Sequence, residues 1–367
     1  MPDLFAVCAP GLEPVLLGEV QSLGLGGRSV PGGVEVPDAP SEAMARMNLW
    51  LRTASRVLVR LGQVKATAFP ELVRKAAALP WERFVAGMPV ALRVTCRKSR
   101  LYHSGAVAER LHTAIEQRLG GKVPLSSSDE DQRAQLFVAR FEHDVCTVSA
   151  DSSGALLHQR GYRVAPAAAP LRETLAAALL LAARFSPEEP LCDPLCGSGT
   201  IAIEAALIAM RRAPGLSRRF AFEKWPGFAA AVLEELREEA RSREKPISAQ
   251  IEASDRDAAA LAAARENAAR AGVEIRFSER ALADLPPAPG SGLVACNPPY
   301  GVRIGGDLRR VYRELGDAAR RRPGWRVAAV VADEPLAKTA GLSWSKLLRT
   351  QNGGIRVEML EGDAQLH

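Results

Sequence analysis

The spacing of hydrophobic residues changes near residue 165, and this change divides the chain into two parts. In the first part, short segments with the alternating pattern of strands are mixed with segments of helical spacing, which predicts small α+β layers. In the second part, strand and helix patterns follow each other in regular alternation. This order predicts an α/β fold with a doubly wound parallel sheet.

Each part has its own set of predicted elements. The predicted strands are residues 4–9, 34–36, 56–64, 90–96, 135–142, 145–151, 191–193, 248–254, 274–278, 292–296 and 327–332. The predicted helices are residues 14–23, 41–49, 69–78, 106–119, 171–184, 200–210, 258–271 and 308–320. Two stretches rich in proline, at 28–41 and 164–170, predict seams, because proline ends regular elements. We expect the main domain boundary at the second seam.

Charge adds a candidate nucleic-acid surface to this picture. The net charge of +6 permits a polyanionic partner without requiring one, but between residues 42 and 120 Lys and Arg far outnumber Asp and Glu. Residues 95–103 interleave cations with an aromatic ring, a combination that suits phosphate contact and base stacking. The alternative is a solvated basic face. The candidate RNA-binding residues of this segment are Arg97, Lys98, Arg100 and Tyr102.

Composition also argues against several classes of protein. No stretch reaches the roughly 20 apolar residues that a membrane span needs, and the N-terminus lacks the pattern of a secretory signal. The six cysteines are scattered, and no second Cys or His pair completes a zinc site. We therefore expect a cytoplasmic protein without a metal centre.

The first candidate loop, residues 193–200, follows the strand at 191–193 and reads Asp-Pro-Leu-Cys-Gly-Ser-Gly-Thr. Its glycines allow close approach of a ligand, and it leads into a helix N-terminus with free N–H groups. An acid at a strand end before Gly-x-Gly suits a zwitterionic amino-acid tail, whose ammonium Asp193 would meet. The alternative is a tight strand–helix turn. The candidate binding residues of this loop are Asp193, Cys196, Gly197, Ser198, Gly199 and Thr200.

Acidic residues follow the next two strands as well. Asp255 lies at the end of the second strand of the parallel sheet, where its two oxygens would accept the hydroxyls of a ribose. Asp257 is predicted to cap the helix that follows. Asp284 comes after the third strand and has the chemistry to accept a bond from an adenine amino group, although a surface acid is the simpler explanation of this residue by itself.

The third loop, Asn297-Pro298-Pro299-Tyr300, carries the most specific chemistry. The prolines end the strand and stiffen the loop, so the Asn side chain and the Pro298 carbonyl point in fixed directions. Two such acceptors would hold both protons of an exocyclic base amine and aim its lone pair at a methyl sulfonium. Tyr300 offers a flat face for an extruded base. The alternative is a stiff turn with a packed tyrosine.

Together these loops resemble the class I S-adenosylmethionine-dependent methyltransferases of amino groups, whose signatures are D-x-x-x-G-x-G and N-P-P-Y. Within that class the chain is similar to the THUMP-domain RNA guanine-N2 methyltransferases, and most similar to the bacterial family that modifies a guanosine of large-subunit (23S) ribosomal RNA. The similarity covers nearly the whole chain. It includes His-Gln-Arg-Gly-Tyr-Arg at 158–163 and Ala-Pro-Leu-Arg-Glu-Thr-Leu at 169–175.

The resemblance implies a ferredoxin-like part at residues 1–42, a THUMP RNA-binding domain at 43–153 and a Rossmann-like methyltransferase domain at 165–367. The implied cofactor is S-adenosylmethionine, and the implied partner is ribosomal RNA, with tRNA as a close alternative. The family pattern also assigns residues to the cofactor pocket. It maps Leu171, Glu173 and Thr174 to the rim, Asp255 to the ribose and Asp284 to the adenine.

Some assignments stay open from the sequence. Arg160 and Arg163 lie beside the predicted boundary and either bind RNA or hold the domains together. The same Asn-Pro-Pro-Tyr loop also serves adenine-N6 and protein-glutamine methylation. A non-catalytic RNA-binding factor with a methyltransferase fold is a further alternative, which the intact loops argue against.

Overall fold

A computed structural model describes residues 2–128, 130–163, 171–300 and 308–363, which form two seven-stranded sheets with helices packed against them. The predicted boundary at 164–170 lies outside the described residues. Within the described ranges, no helix has the length and apolar character needed to cross a membrane.

The front half of the chain builds the first sheet. Its strands are β1 Leu4–Val7, β2 Arg28–Val30, β3 Gly33–Val36, β4 Arg56–Lys65, β5 Val90–Arg97, β6 Gln135–Glu142 and β7 Val145–Asp151. Its helices are α1 Glu13–Ser22, α2 Ala43–Trp50, α3 Phe69–Ala76 and α4 Ser104–Leu119, with a 3-10 turn at Trp81–Arg83. The strand order is β2-β3-β1-β4-β7-β6-β5. The predicted α+β layers are confirmed.

One sheet therefore runs through both predicted front domains. Strand β4 pairs with β1 on one side and with β7 on the other, so it joins the ferredoxin-like part to the THUMP part. The seam predicted at 28–41 includes a hairpin of this sheet. Its glycines and prolines surround the β2–β3 hairpin, in which Val30 pairs with Gly33, because these residues favour tight turns as well as linkers.

The rear half builds the second sheet. Its strands are β8 Leu191–Asp193, β9 Ile251–Asp255, β10 Arg276–Glu279, β11 Gly292–Cys296, β12 Trp325–Val331, β13 Ser343–Asn352 and β14 Ile355–Asp363. Its helices are α5 Glu173–Ala182, α6 Thr200–Ala209, α7 Ala230–Ser242, α8 Ala258–Ala271, α9 Leu308–Arg320 and α10 Glu334–Lys338, with 3-10 turns at Ala221–Lys224 and Leu282–Asp284.

The rear sheet is doubly wound, as predicted. Its strand order is β10-β9-β8-β11-β12-β14-β13, and all pairs from β10 to β12 are parallel. Helices α5, α6 and α8 pack on one face, and α9 and α10 pack on the other. The antiparallel pair β13–β14 and helix α7 were not predicted from the sequence.

The two halves share one continuous apolar core, which includes Leu12 of the front half and Leu175 of the rear half. The segment between α6 and α7 reaches the front sheet, where Trp225 packs edge-on against Phe84 at 4.8 Å between ring centroids. The Trp225 indole N–H also donates to Gln135 Oε1 at 2.6 Å. These contacts fix the front sheet against the rear half.

Candidate active site

Three candidate loops meet where the order of the rear sheet reverses. Strand β8 has β9 on one side and β11 on the other, all parallel, so the loops after these strands leave the same edge of the sheet. Open α/β sheets bind their ligands in the crevice at this switch point. The loop at 193–200 follows β8, Asp255 ends β9 and the loop at 297–300 follows β11.

The glycine loop is tied to the end of β9. The Gly197 N–H donates to Asp255 Oδ2 at 2.9 Å, and the Cys196 N–H donates to the Ser254 carbonyl at 3.0 Å. Gly199 begins α6 with φ of 82°, and an added Cβ would lie 3.1 Å from the Cβ of Ala264. Glycine is needed there for its conformation and for its close packing against α8.

Asp255 and Asp257 have separate structural tasks. Asp255 Oδ1 accepts from the Asp257 N–H at 3.0 Å, so its two oxygens are held in place, and each oxygen can accept a further hydrogen bond. Asp257 accepts from the N–H groups of Ala259 and Ala260 at the start of α8. The predicted helix cap is confirmed, and the ribose role of Asp255 stays a prediction.

Asp193 is a buried carboxylate whose charge is incompletely compensated. Its residue is 1% exposed, and the hydrogen bond that the described residues give it comes from the Leu195 N–H at 3.3 Å. Burial, together with the nearby Asp255, raises the pKa of Asp193 well above its usual value. A cation bound beside this carboxylate would stabilise its charged form. Next to it, a Cβ on Gly197 would meet open space. The site therefore fits the ammonium of an amino-acid tail.

The residues predicted at the rim of the cofactor pocket are buried, and Arg163 connects several residues of this region by hydrogen bonds. Its guanidinium donates to Glu173 Oε1 at 2.8 Å and to Thr200 Oγ1 at 3.0 Å. It also reaches the Leu171 carbonyl at 3.1 Å and Ser198 Oγ at 3.4 Å. Thr174 is buried in the same first turn of α5 as Glu173. Arg163 therefore contacts the predicted cofactor residues, which corrects its assignment to the RNA surface.

The loop after β11 carries an acceptor without a partner. The Asn297 Oδ1 atom is buried and has no hydrogen-bond partner among the described residues. Pro298 is buried and Pro299 is half-buried, so the loop is packed as well as stiff. The half-buried Tyr300 accepts a hydrogen bond at its hydroxyl from Asn352 Nδ2 at 2.7 Å. Burying an unpaired amide oxygen costs about 1–3 kcal/mol, so this atom suits a donor supplied by a ligand.

Two predicted residues have less specific surroundings. The Cys196 thiol is buried, and burial raises its pKa far above the ordinary value, so it stays a neutral thiol in the loop. Asp284 is exposed in the 3-10 turn at Leu282–Asp284, after the edge strand β10. Its adenine role stays a prediction.

The candidate RNA residues separate into two groups. Those in the segment between β5 and α4 are exposed, namely Arg97, Lys98, Arg100 and Tyr102, with Tyr102 at 79% exposure. Arg160 is 6% exposed, and its guanidinium donates to the carbonyls of Leu157 and Arg52. A buried guanidinium cannot contact a phosphate, which corrects the RNA assignment of Arg160 in favour of the alternative that it holds the domains together.

Sequence reasoning missed two supporting amides. Asn267 Nδ2 of α8 donates to the Ser198 carbonyl at 3.0 Å and so supports the glycine loop. The signal was an Asn on the buried face of an Ala-rich helix. Asn352, which contacts Tyr300, directly precedes Gly353 and Gly354, and the Asn-Gly pair signals a hairpin turn but no function.

Comparisons with known proteins identify the family of the chain. Residues 160–360 match the RMKL-like methyltransferase domain, and residues 3–58 match the RlmL ferredoxin-like domain. The chain is 36% identical over 98% of its length to the ribosomal RNA large subunit methyltransferase K/L of Syntrophotalea carbinolica, of which it covers 53%. It is 35% identical over 97% of its length to a putative RNA methyltransferase of Synechocystis, of which it covers 95%.

A solved structure supports both the fold and the cofactor. The putative methyltransferase SMU.472, complexed with SAH, aligns with a TM-score of 0.88 and 29% identity over 100% of this chain and 98% of that one. SAH is the product that remains after S-adenosylmethionine has given up its methyl group. The resemblance and the cofactor inferred from the sequence are both confirmed. The chain thus belongs to the RMKL-like methyltransferases, and it is a class I S-adenosylmethionine-dependent enzyme with an RlmL-like ferredoxin-like domain at residues 3–58.

Proposed function

We propose that this chain methylates the exocyclic N2 of a guanosine in RNA, with 23S ribosomal RNA as the expected substrate. The observation that carries the proposal is the buried Asn297 Oδ1, which lacks a partner in the described part of the chain. An amine has two N–H groups, so it can donate one to this oxygen and the other to the Pro298 carbonyl, whereas an alcohol has a single donor. The RNA target is supported by the ribosomal RNA and RNA methyltransferases to which the chain is similar.

The residues of the site divide the work of binding and transfer. We assign Asp193, Glu173 and the glycine loop to the amino-acid tail of the cofactor, Asp255 to its ribose and Asp284 to its adenine. When bound, the cofactor supplies an electrophilic methyl group. Asn297 Oδ1 and the Pro298 carbonyl then hold the two N–H groups of the target amine, which directs the nitrogen lone pair toward that methyl.

Tyr300 and the basic segment at 95–103 complete the proposed mechanism. The ring of Tyr300 stacks on the extruded base, and Arg97, Lys98 and Arg100 contact phosphates with Tyr102 stacking on an unpaired base. These four side chains are exposed, as such contacts require. An RNA substrate of this kind implies that the enzyme works in the cytoplasm.

The substrate is tested directly with purified protein and cofactor labelled on the methyl group. Ribosomal RNA, tRNA, duplex DNA and a protein mixture are incubated in parallel, digested and analysed by mass spectrometry. We expect N2-methylguanosine from ribosomal RNA. N2-methylguanosine from tRNA alone would change the target RNA, while N6-methyladenosine or methylglutamine would contradict the proposal and favour the alternatives that share this loop.

The role of Asn297 is tested by Asn297→Ala. We expect the rate of methyl transfer to fall by at least about a hundredfold, because one positioned polar contact in a transition state contributes about that much. Cofactor affinity, measured by calorimetry, should stay nearly unchanged. Loss of cofactor binding instead would mean that Asn297 belongs to the cofactor pocket.

The basic segment is tested by neutralising Arg97, Lys98 and Arg100 together. RNA affinity should weaken, and the slope of log affinity against log salt should decrease by about 2–3, since each phosphate contact contributes roughly 0.7–0.9. The matched control neutralises the exposed cations Arg241, Arg243 and Lys245 at the C-terminal end of α7. An equal effect of both triple variants would show that the basic segment is not a specific contact.

A further inference from the structure

The inner face of β13 carries two buried polar residues beside the catalytic loop. At the C-terminal end of this edge strand, Thr350 and Asn352 are buried, whereas Gln351 between them is exposed. Successive side chains of a strand point to opposite faces, so Thr350 and Asn352 share the inner one. An edge strand of a methyltransferase sheet needs no buried polar residue for its fold, and burying one costs free energy unless it is hydrogen-bonded.

Asn352 uses its buried amide on Tyr300. Its residue is 8% exposed, and its Nδ2 donates to the Tyr300 hydroxyl at 2.7 Å, a direct hydrogen bond of good length. The Tyr300 ring is thus held at both ends. Its backbone follows the stiff Pro298–Pro299 pair, and its hydroxyl is attached to a different strand of the sheet.

The strand that carries Asn352 is itself fixed in place. Asn352 pairs with Ile355 across the two-residue turn of the β13–β14 hairpin. Three residues earlier, the front half packs directly on the β13 backbone, since an added Cβ on Gly11 would lie 1.8 Å from the Arg349 carbonyl oxygen. The strand that carries Asn352 is therefore held by contacts with both halves of the protein.

We propose that Asn352 is a positioning residue for the target base, because its hydrogen bond holds the hydroxyl end of the Tyr300 ring on which that base stacks. The proposal rests on the proposed function, in which Tyr300 is the stacking face. Asn352 does not touch the reacting nitrogen. It acts by limiting how far the base tilts away from Asn297 and the methyl group.

The proposal is tested by a double-mutant cycle on the full chain. Asn352→Leu removes the donor at similar volume, Tyr300→Phe removes the hydroxyl and keeps the ring, and the double variant combines them. Single-turnover methyl transfer to saturating RNA is measured together with cofactor affinity. Gln351→Leu makes the same change on the exposed face and serves as the matched control.

We expect each single variant to transfer methyl about ten- to a hundredfold more slowly, since small misplacements near a reacting centre have effects of that size. The double variant should be no slower than the single ones, because both remove the same contact. Cofactor affinity should not change. Asn352→Asp should restore most of the rate, since the Tyr300 hydroxyl then donates to the carboxylate.

Several results would overturn the proposal. Additive losses in the cycle, a wild-type rate for Tyr300→Phe, or an equal loss in the Gln351→Leu control would each show that the contact does not position the base. Should Asn352→Leu fail to fold, Tyr300→Phe and Asn352→Asp still decide the question. Absence of transfer to any RNA by the unsubstituted protein is a different result, because it rejects the proposed function first and this role with it.

Discussion

At the scale of single residues, Arg163 shows that the fold decides what a side chain contacts. The sequence predicts it, together with Arg160, as a candidate RNA contact, but both guanidinium groups bond to groups inside the protein. Arg160 joins the two halves, whereas Arg163 bridges Glu173 of α5 and Thr200 of α6. Five N–H donors in a rigid fork suit this bridging task better than the single ammonium of lysine.

We therefore expect Arg163→Ala to weaken cofactor binding by about ten- to a hundredfold, since a hydrogen bond to a charged group contributes about 1.5–3 kcal/mol. Calorimetry with S-adenosylmethionine measures this loss. RNA affinity without cofactor, and its salt dependence, should stay the same. The control is Arg172→Ala, which removes an exposed neighbouring cation. A variant that binds cofactor normally but loses RNA would return Arg163 to the RNA surface.

At the scale of elements, α8 begins at a cap that is distinct from the proposed ribose-binding residue two positions before it. Asp257 bonds the first N–H groups of the helix, and Asp255 faces the glycine loop. The Asp257→Ala substitution should lower the free energy of unfolding by about 1 kcal/mol, the usual contribution of a helix cap. Asp255→Ala should mainly weaken cofactor affinity. Urea unfolding and calorimetry on both variants check this division. A loss of cofactor affinity in Asp257→Ala together with a loss of stability in Asp255→Ala would refute it.

The elements also show what the sequence could and could not predict. Helix α8 and strand β11 have the predicted bounds, because Asp257 and Gly272 mark the helix ends and an uninterrupted apolar run marks the strand. Strand β13 escaped prediction. It is an edge strand with an exposed outer face and polar residues on its inner face, so it lacks the alternation that signals a strand. The contact of Asn352 with Tyr300 crosses two elements and leaves no local pattern.

At the scale of the whole molecule, a buried charge cluster joins the two halves. Glu204 of α6 lies 3.5 Å from Arg160 Nε and 4.0 Å from Arg52 Nη1, and it accepts from the Tyr162 hydroxyl at 3.2 Å. Arg52 belongs to the front half and donates to the carbonyl oxygens of Leu207 and Arg212 in the rear half. The halves are therefore joined by charge as well as by their shared apolar core.

We expect Glu204→Gln to lower the free energy of unfolding by about 3 kcal/mol, because it leaves two buried arginines without their counter-charge. Unfolding should still occur in a single transition, since the apolar core remains shared. Chemical denaturation followed by circular dichroism measures both quantities. Glu238→Gln, at a side chain 72% exposed, is the control and should change stability little. A loss equal to that of the control would mean that the cluster contributes nothing.

The continuous front sheet has a consequence for how a target is chosen. Because β4 pairs with strands of both predicted front domains and the front half packs against the catalytic half, the fold sets the spacing between the basic segment at 95–103 and Asn297. If the basic segment binds RNA as we propose, the enzyme selects its target nucleotide by the distance in space between that nucleotide and the bound strand. Unfolding the RNA between the two points would then abolish modification even with the target sequence intact.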